Sequence, residues 1–131
     1  MNTRIASIIV GITFILVGIL GFFPNPIVGT HDSIFHADTV HNMVHIISGT
    51  LFLLVAFAAP QRSAAFMKLF GVIYFLIGMA GLLTIGTANE TKLLGFLHVN
   101  GPDNFLHIFL GVVIFLLGSL PKFSMSKTHH A

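Results

Sequence analysis

The chain has 131 residues, of which 55% are hydrophobic and 8% charged, with a formal net charge of +2 and no cysteine. A soluble domain of this size carries about one quarter charged residues, so a soluble globular fold is excluded. The missing thiols exclude disulfides, thiolate metal sites and cysteine nucleophiles, which leaves imidazole, carboxylate and amide for any chemistry.

Four apolar stretches, at about 5–23, 41–59, 67–85 and 104–120, have 17 to 19 residues each. At about 1.5 Å per residue they rise about 26–29 Å, close to the thickness of a bilayer's hydrocarbon core. The predicted fold is therefore an all-α membrane protein, a four-transmembrane-helix bundle in one integral domain over 1–131, with the lipid bilayer as its solvent. The first stretch has the basic residue of a signal peptide, Arg4, but no small-residue cleavage site follows Phe23, where Pro24-Asn25-Pro26 stands. It is read as a retained helix.

An outer loop holding Ile34-Phe35 leads to Asp38, placed to cap the second helix by accepting from its first N–H groups. His41-Asn42-Met43-Val44-His45 then occupies the first two turns. A short turn through Pro60 and Arg62 joins the third helix. A second outer loop, with the apolar run Leu93-Leu94-Gly95-Phe96-Leu97, leads to Asn100 as the equivalent cap, Pro102 at an early helical position, and Asp103-Asn104-Phe105-Leu106-His107. Both apolar loop segments are expected at the membrane interface or folded over the bundle. Residues 121–131 form a tail.

The two polar segments repeat one another. His36 and His98, His41 and Asp103, His45 and His107, and Gly49 and Gly111 all align at an offset of 62, while Gly11, Gly18 and Gly21 recur as Gly71, Gly78 and Gly81. The pattern predicts an internal duplication, with repeat 1 over about 5–59 and repeat 2 over about 67–120. Two spans per copy return the chain to its starting side, so the copies are expected to run parallel about an axis along the membrane normal, with helices 2 and 4 facing across it. The glycines at seven-residue spacing are read as close helix–helix contacts.

Arg4, Arg62, Lys68, Lys122 and Lys127 flank the helices on one side, and Asp32, Asp38, Glu90 and Asp103 lie on the other, joined by Lys92. By the positive-inside rule both termini are expected in the cytoplasm, and the two longer loops in the periplasm or exterior of a bacterial inner membrane.

Residues four apart share a helix face, so His41/His45 and Asp103/His107 are two candidate ligand pairs. Opposed across the axis they offer three imidazoles and a carboxylate, a set suited to zinc, copper, iron or nickel. Asn42 and Asn104 are candidate supporting groups that orient the imidazoles, and His36 and His98 are auxiliary candidates. Two other readings stay open. The same residues can be interhelical glue in an accessory or scaffold subunit that associates with other membrane subunits or with itself. His45 and His107, at equal depth, can instead be axial haem ligands in a redox protein, which ranks below a bare metal because it leaves His41 and Asp103 idle. Tyr74 and the phenylalanines are read as packing. No nucleophile motif, phosphate loop or acid–base pair points to an enzyme, and no basic patch to nucleic acid. The reading favoured is a non-enzymatic metal-binding module.

The segments His41-Asn42, Val44-His45 and Gly49, with Val99-Asn100-Gly101, Asp103-Asn104, Leu106-His107 and Gly111, resemble a family of small bacterial four-span membrane proteins catalogued as a domain of unknown function (family 4383). The resemblance covers nearly the whole chain, although Ala37-Asp38 stands where the second copy has Val99-Asn100. It implies the four-helix fold and topology and carries no activity.

Overall fold

The structure is a computed structural model that describes residues 1–29, 32–85, 91–93 and 97–124. Its four helices are α1 (Thr3–Leu20), α2 (Thr39–Ala58), α3 (Ser63–Ile85) and α4 (Gly101–Leu117). The first three are long and apolar enough to cross a membrane, and α4 is a shorter apolar helix of 17 residues. His31, Glu90, Leu94, Gly95, Phe96, Lys127, His129 and His130 lie outside the described residues, as do the side chains of Lys92 and His98.

Each helix but α3 begins two or three residues before its apolar stretch, because polar residues supply the caps. Asn2 Oδ1 accepts from the Ile5 N–H at 3.0 Å and Asp38 Oδ1 from the His41 N–H at 2.9 Å. Asn100 Oδ1 accepts from the Asp103 N–H at 3.1 Å while Asp103 Oδ2 accepts from the Asn100 N–H at 2.9 Å, a reciprocal capping box. Asp38 and Asn100 thus cap as the sequence predicts. α2 passes into α3 through a single 3₁₀ turn, Pro60–Arg62.

The bundle is two antiparallel hairpins. α1 packs on α2 and α3 on α4 through glycines that let backbones touch. A Cβ on Gly49 would lie 2.5 Å from the Gly11 carbonyl oxygen, and one on Gly111 would lie 2.5 Å from the Phe75 nitrogen and 2.7 Å from the Gly71 oxygen. The same arrangement recurs higher up. A Cβ on Gly18 would meet the Asn42 carbonyl and Ile46, and one on Gly78 the Asn104 carbonyl and Ile108. Lipid supplies no hydrophobic drive between helices, so such close packing is what holds them. Ser7 adds a hydrogen bond from its hydroxyl to the Phe52 carbonyl, 2.9 Å.

The hairpins meet over a core of Ala6, Val10, Phe14, Phe52, Met67, Tyr74 and Ile114. The beginning of α1 and the chain after α4 are tied together at one end, where the Thr3 N–H donates to the Pro121 carbonyl at 3.1 Å. At that end Arg4 donates from Nε to the Ala56 carbonyl at 2.9 Å, a cation at the negative C-terminus of α2, and lies over the rings of Phe57 and Phe123.

The opposite end carries four short strands that the helical reading did not foresee: β1 (Val28–Gly29) parallel to β2 (Phe35–His36), and β3 (Thr91–Leu93) antiparallel to β4 (Leu97–Val99). They give the loop backbones partners that lipid cannot provide. Asn25 organises the first loop, donating to the carbonyls of Leu20, Phe23 and Val28 and accepting from the N–H groups of Ile27 and Val28. Leu93 and Val99 are buried against Val44 of α2 and Ile77 of α3, so the second loop folds back over the bundle.

Candidate functional site

The first two turns of α2 and α4 open at this strand-bearing end, and their polar residues are buried. His41, Asn42, His45, Asp103, Asn104 and His107 are each at most 8% exposed. A helical repeat places His41 directly above His45, with ring centroids 4.6 Å apart, and α4 brings His107 to 5.6 Å from the first ring and 6.5 Å from the second. One ligand-capable atom from each of the three lies within 4.8 Å of the others.

His45 and His107 close a ring of four aromatic side chains, one per helix, with Phe14 and Tyr74. Phe14 meets His45 at 5.7 Å and Tyr74 at 5.2 Å, and Tyr74 meets His107 at 5.7 Å. Buried polar groups in native proteins are normally hydrogen-bonded, yet His45 Nδ1 and His107 Nδ1 are buried with no hydrogen-bond partner among the described residues.

The other predicted residues sit elsewhere. Asp103 stands outside the three-histidine group, because its carboxylate closes the α4 capping box and also accepts the backbone N–H of His36. With Asn100 Nδ2 donating to the Ile34 carbonyl at 3.0 Å, this stitches the first loop onto the start of α4. The side chain of Asn42 packs onto Gly21 at the end of α1, and that of Asn104, fully buried, onto Gly81 of α3. His36 lies in β2 opposite Gly29, and the backbone of His98 pairs with Lys92 between β3 and β4.

Two clefts flank the histidines. One, of about 180 Å³ between α2 and α3, is lined by His41, His45, Ser48, Tyr74 and His107 with apolar neighbours. The other, of about 200 Å³ between α1 and α4, is lined by Phe14, Val17, His45, Leu106, His107 and Leu110, with Thr13. Sequence reasoning does not single out Ser48 and reads Tyr74 as packing, yet both line the α2–α3 cleft. The signal was present: Tyr74 is the single tyrosine of the chain and stands where the first half has Phe14.

A four-helix bundle of apolar helices around a small buried polar cluster defines the class, a compact multi-span membrane protein. Within it, the chain belongs to the family described as a domain of unknown function, DUF4383, whose model matches residues 4–120. No curated protein and no solved structure matches the chain.

Proposed function

We propose that this protein is a non-enzymatic membrane module that binds a divalent transition metal through His41, His45 and His107. The observation that carries the reading is the convergence of three buried imidazoles, two of them with a ring nitrogen that has no hydrogen-bond partner among the described residues. Interhelical glue would have those nitrogens bonded to a neighbouring helix, whereas a ligand leaves them for the ion. Tetrahedral zinc at about 2.0–2.1 Å from each nitrogen separates its donors by about 3.3 Å. Starting within 4.8 Å, the rings reach that spacing by about an ångström of side-chain rotation. Zinc, copper and iron all accept imidazole, and the buried site favours none of them by charge.

The glue reading fits the remaining polar residues better than the histidines. Asp103, Asn100, Asn42 and Asn104 serve caps, loop contacts and glycine packing. Haem gains little support, because His41 joins the pair that would be its axial ligands and the space beside them is divided into two small clefts. The matched glycine contacts 11/49 and 71/111, and 18 and 78 against the Asn42 and Asn104 backbones, support descent from a duplicated hairpin.

The decisive test is elemental analysis of protein purified in detergent without an affinity tag rich in histidine. About one equivalent of transition metal per chain is expected, or uptake of one equivalent of cobalt(II) with visible absorption of a four-coordinate site. Protein that neither retains nor takes up metal returns the function to a scaffold role.

The charge pattern supports insertion in a bacterial inner membrane with both ends of the chain in the cytoplasm and the histidine end outward. With no native cysteine, single cysteines label cleanly. Cysteine at Asp32 is expected to react with an impermeant maleimide in intact cells, and cysteine at Asn2 only after permeabilisation. The reverse pattern inverts the topology.

A further inference from the structure

The two clefts beside the histidines differ in one direction. At positions an offset of 60 or 62 apart, the α2–α3 side has Tyr74, Ser48 and His41 where the α1–α4 side has Phe14, Leu110 and Asp103. The Asp103 carboxylate is turned into its helix cap. His41, Ser48 and Tyr74 therefore line the α2–α3 cleft alone, and the opposite cleft has Thr13 and packing residues around His45 and His107, which line both. Tyr74 is 4% exposed and lines the cleft, with the Ser48 side chain as the hydrogen-bonding neighbour of its buried hydroxyl.

Charge says what belongs there. Three neutral imidazoles leave a divalent ion with its full double charge in an apolar interior, which is strongly unfavourable without a counter-charge. The neighbouring carboxylates, Asp38 and Asp103, cap helix N-termini and neither joins the three-histidine group, so neither is placed to bind the ion directly. An ion held by three histidines also keeps an open coordination position.

We propose that the α2–α3 cleft is an anion site: the metal's open position takes a small monoanionic oxygen or nitrogen donor, hydrogen-bonded by the Tyr74 hydroxyl with Ser48 beside it. The inference rests on the three-histidine metal reading and adds to it a ligand class, an access side and a positioning residue. A cleft of about 180 Å³ has room for such an anion. Phenylalanine, already present at the matching position 14, is the natural replacement that removes the hydroxyl and preserves the ring.

The test is an azide titration of the cobalt(II)-loaded protein, followed through the visible bands of the metal. Azide is expected to shift these bands saturably. Tyr74→Phe is expected to bind cobalt as before but azide about 10-fold or more weakly, since a hydrogen bond to a charged group is lost. Thr13→Val, a change in the other cleft, is expected to leave azide affinity unaltered. Cobalt bands that ignore azide, or equal azide affinity in Tyr74→Phe and the parent, overturn the anion site and leave the metal module standing. Failure to bind cobalt overturns both.

Discussion

Replacing His107 with alanine is expected to release the metal, weakening its retention at least about 100-fold, because loss of a direct ligand exceeds the 10- to 100-fold effect of losing a supporting hydrogen bond. His45→Ala is expected to do the same. His107 is the sole contribution of α4 to the three-imidazole group, so without it the site reduces to one helical pair, His41 and His45. The substitution also empties part of a buried contact with Tyr74 and costs about 1–3 kcal/mol of stability, a typical value for a buried point change. The informative comparison is Asp103→Ala. Its carboxylate serves the capping box and the His36 backbone, so metal content is expected to hold while stability falls by about 1 kcal/mol, as for loss of a cap. Elemental analysis after gel filtration, with a thermal unfolding curve for each variant, separates the outcomes. Equal metal loss from Asp103→Ala and His107→Ala would restore the carboxylate as a fourth ligand.

Gly111→Ala is expected to destabilise the bundle by about 1–3 kcal/mol, the cost of overpacking a close-packed interior. Its new Cβ would stand 2.5 Å from the Phe75 nitrogen and 2.7 Å from the Gly71 oxygen. Both are backbone atoms that cannot swing aside, so α3 must move off α4. That movement separates Tyr74 from His107, and a loss of metal affinity is expected to accompany the loss of stability. Val112, one residue on and 45% exposed on the outer face, provides the control: Val112→Ala is expected to change stability by no more than about 0.5 kcal/mol. Unfolding in mixed detergent measures both. If Gly111→Ala proves as mild as Val112→Ala, the α3–α4 contact is looser than the glycines indicate.

The helices were legible in the sequence because a bilayer tolerates only long apolar helical runs, and a window of hydropathy reads that constraint directly. Their starting points were less so. Thr39 and Gly101 are poor markers by hydropathy, and the caps Asp38 and Asn100 mark them better. Asn100-Gly101-Pro102-Asp103 also carried the sign of a capping box, an acid three residues after the cap. The sequence reading credited that acid to a metal because its partner position holds His41. A carboxylate in the first turn suits either role by spacing, and the hydrogen bonds of Asp103 to the Asn100 and His36 backbones support the cap.

Composition and spacing alone determined the membrane class and four helices, marked the glycines as helix contacts, and pointed to His41, His45, Asp103 and His107 as residues worth bringing together. These are local or periodic properties, and a 3.6-residue helix converts spacing into facing without further information. The tertiary structure decided which face of each hairpin meets the other, and with it the aromatic ring of Phe14, His45, Tyr74 and His107 and the unequal clefts on either side. Such contacts join residues up to 62 positions apart, as from His45 to His107. Their register depends on how one hairpin's side chains fit the other's, and no repeat within a single helix records that fit.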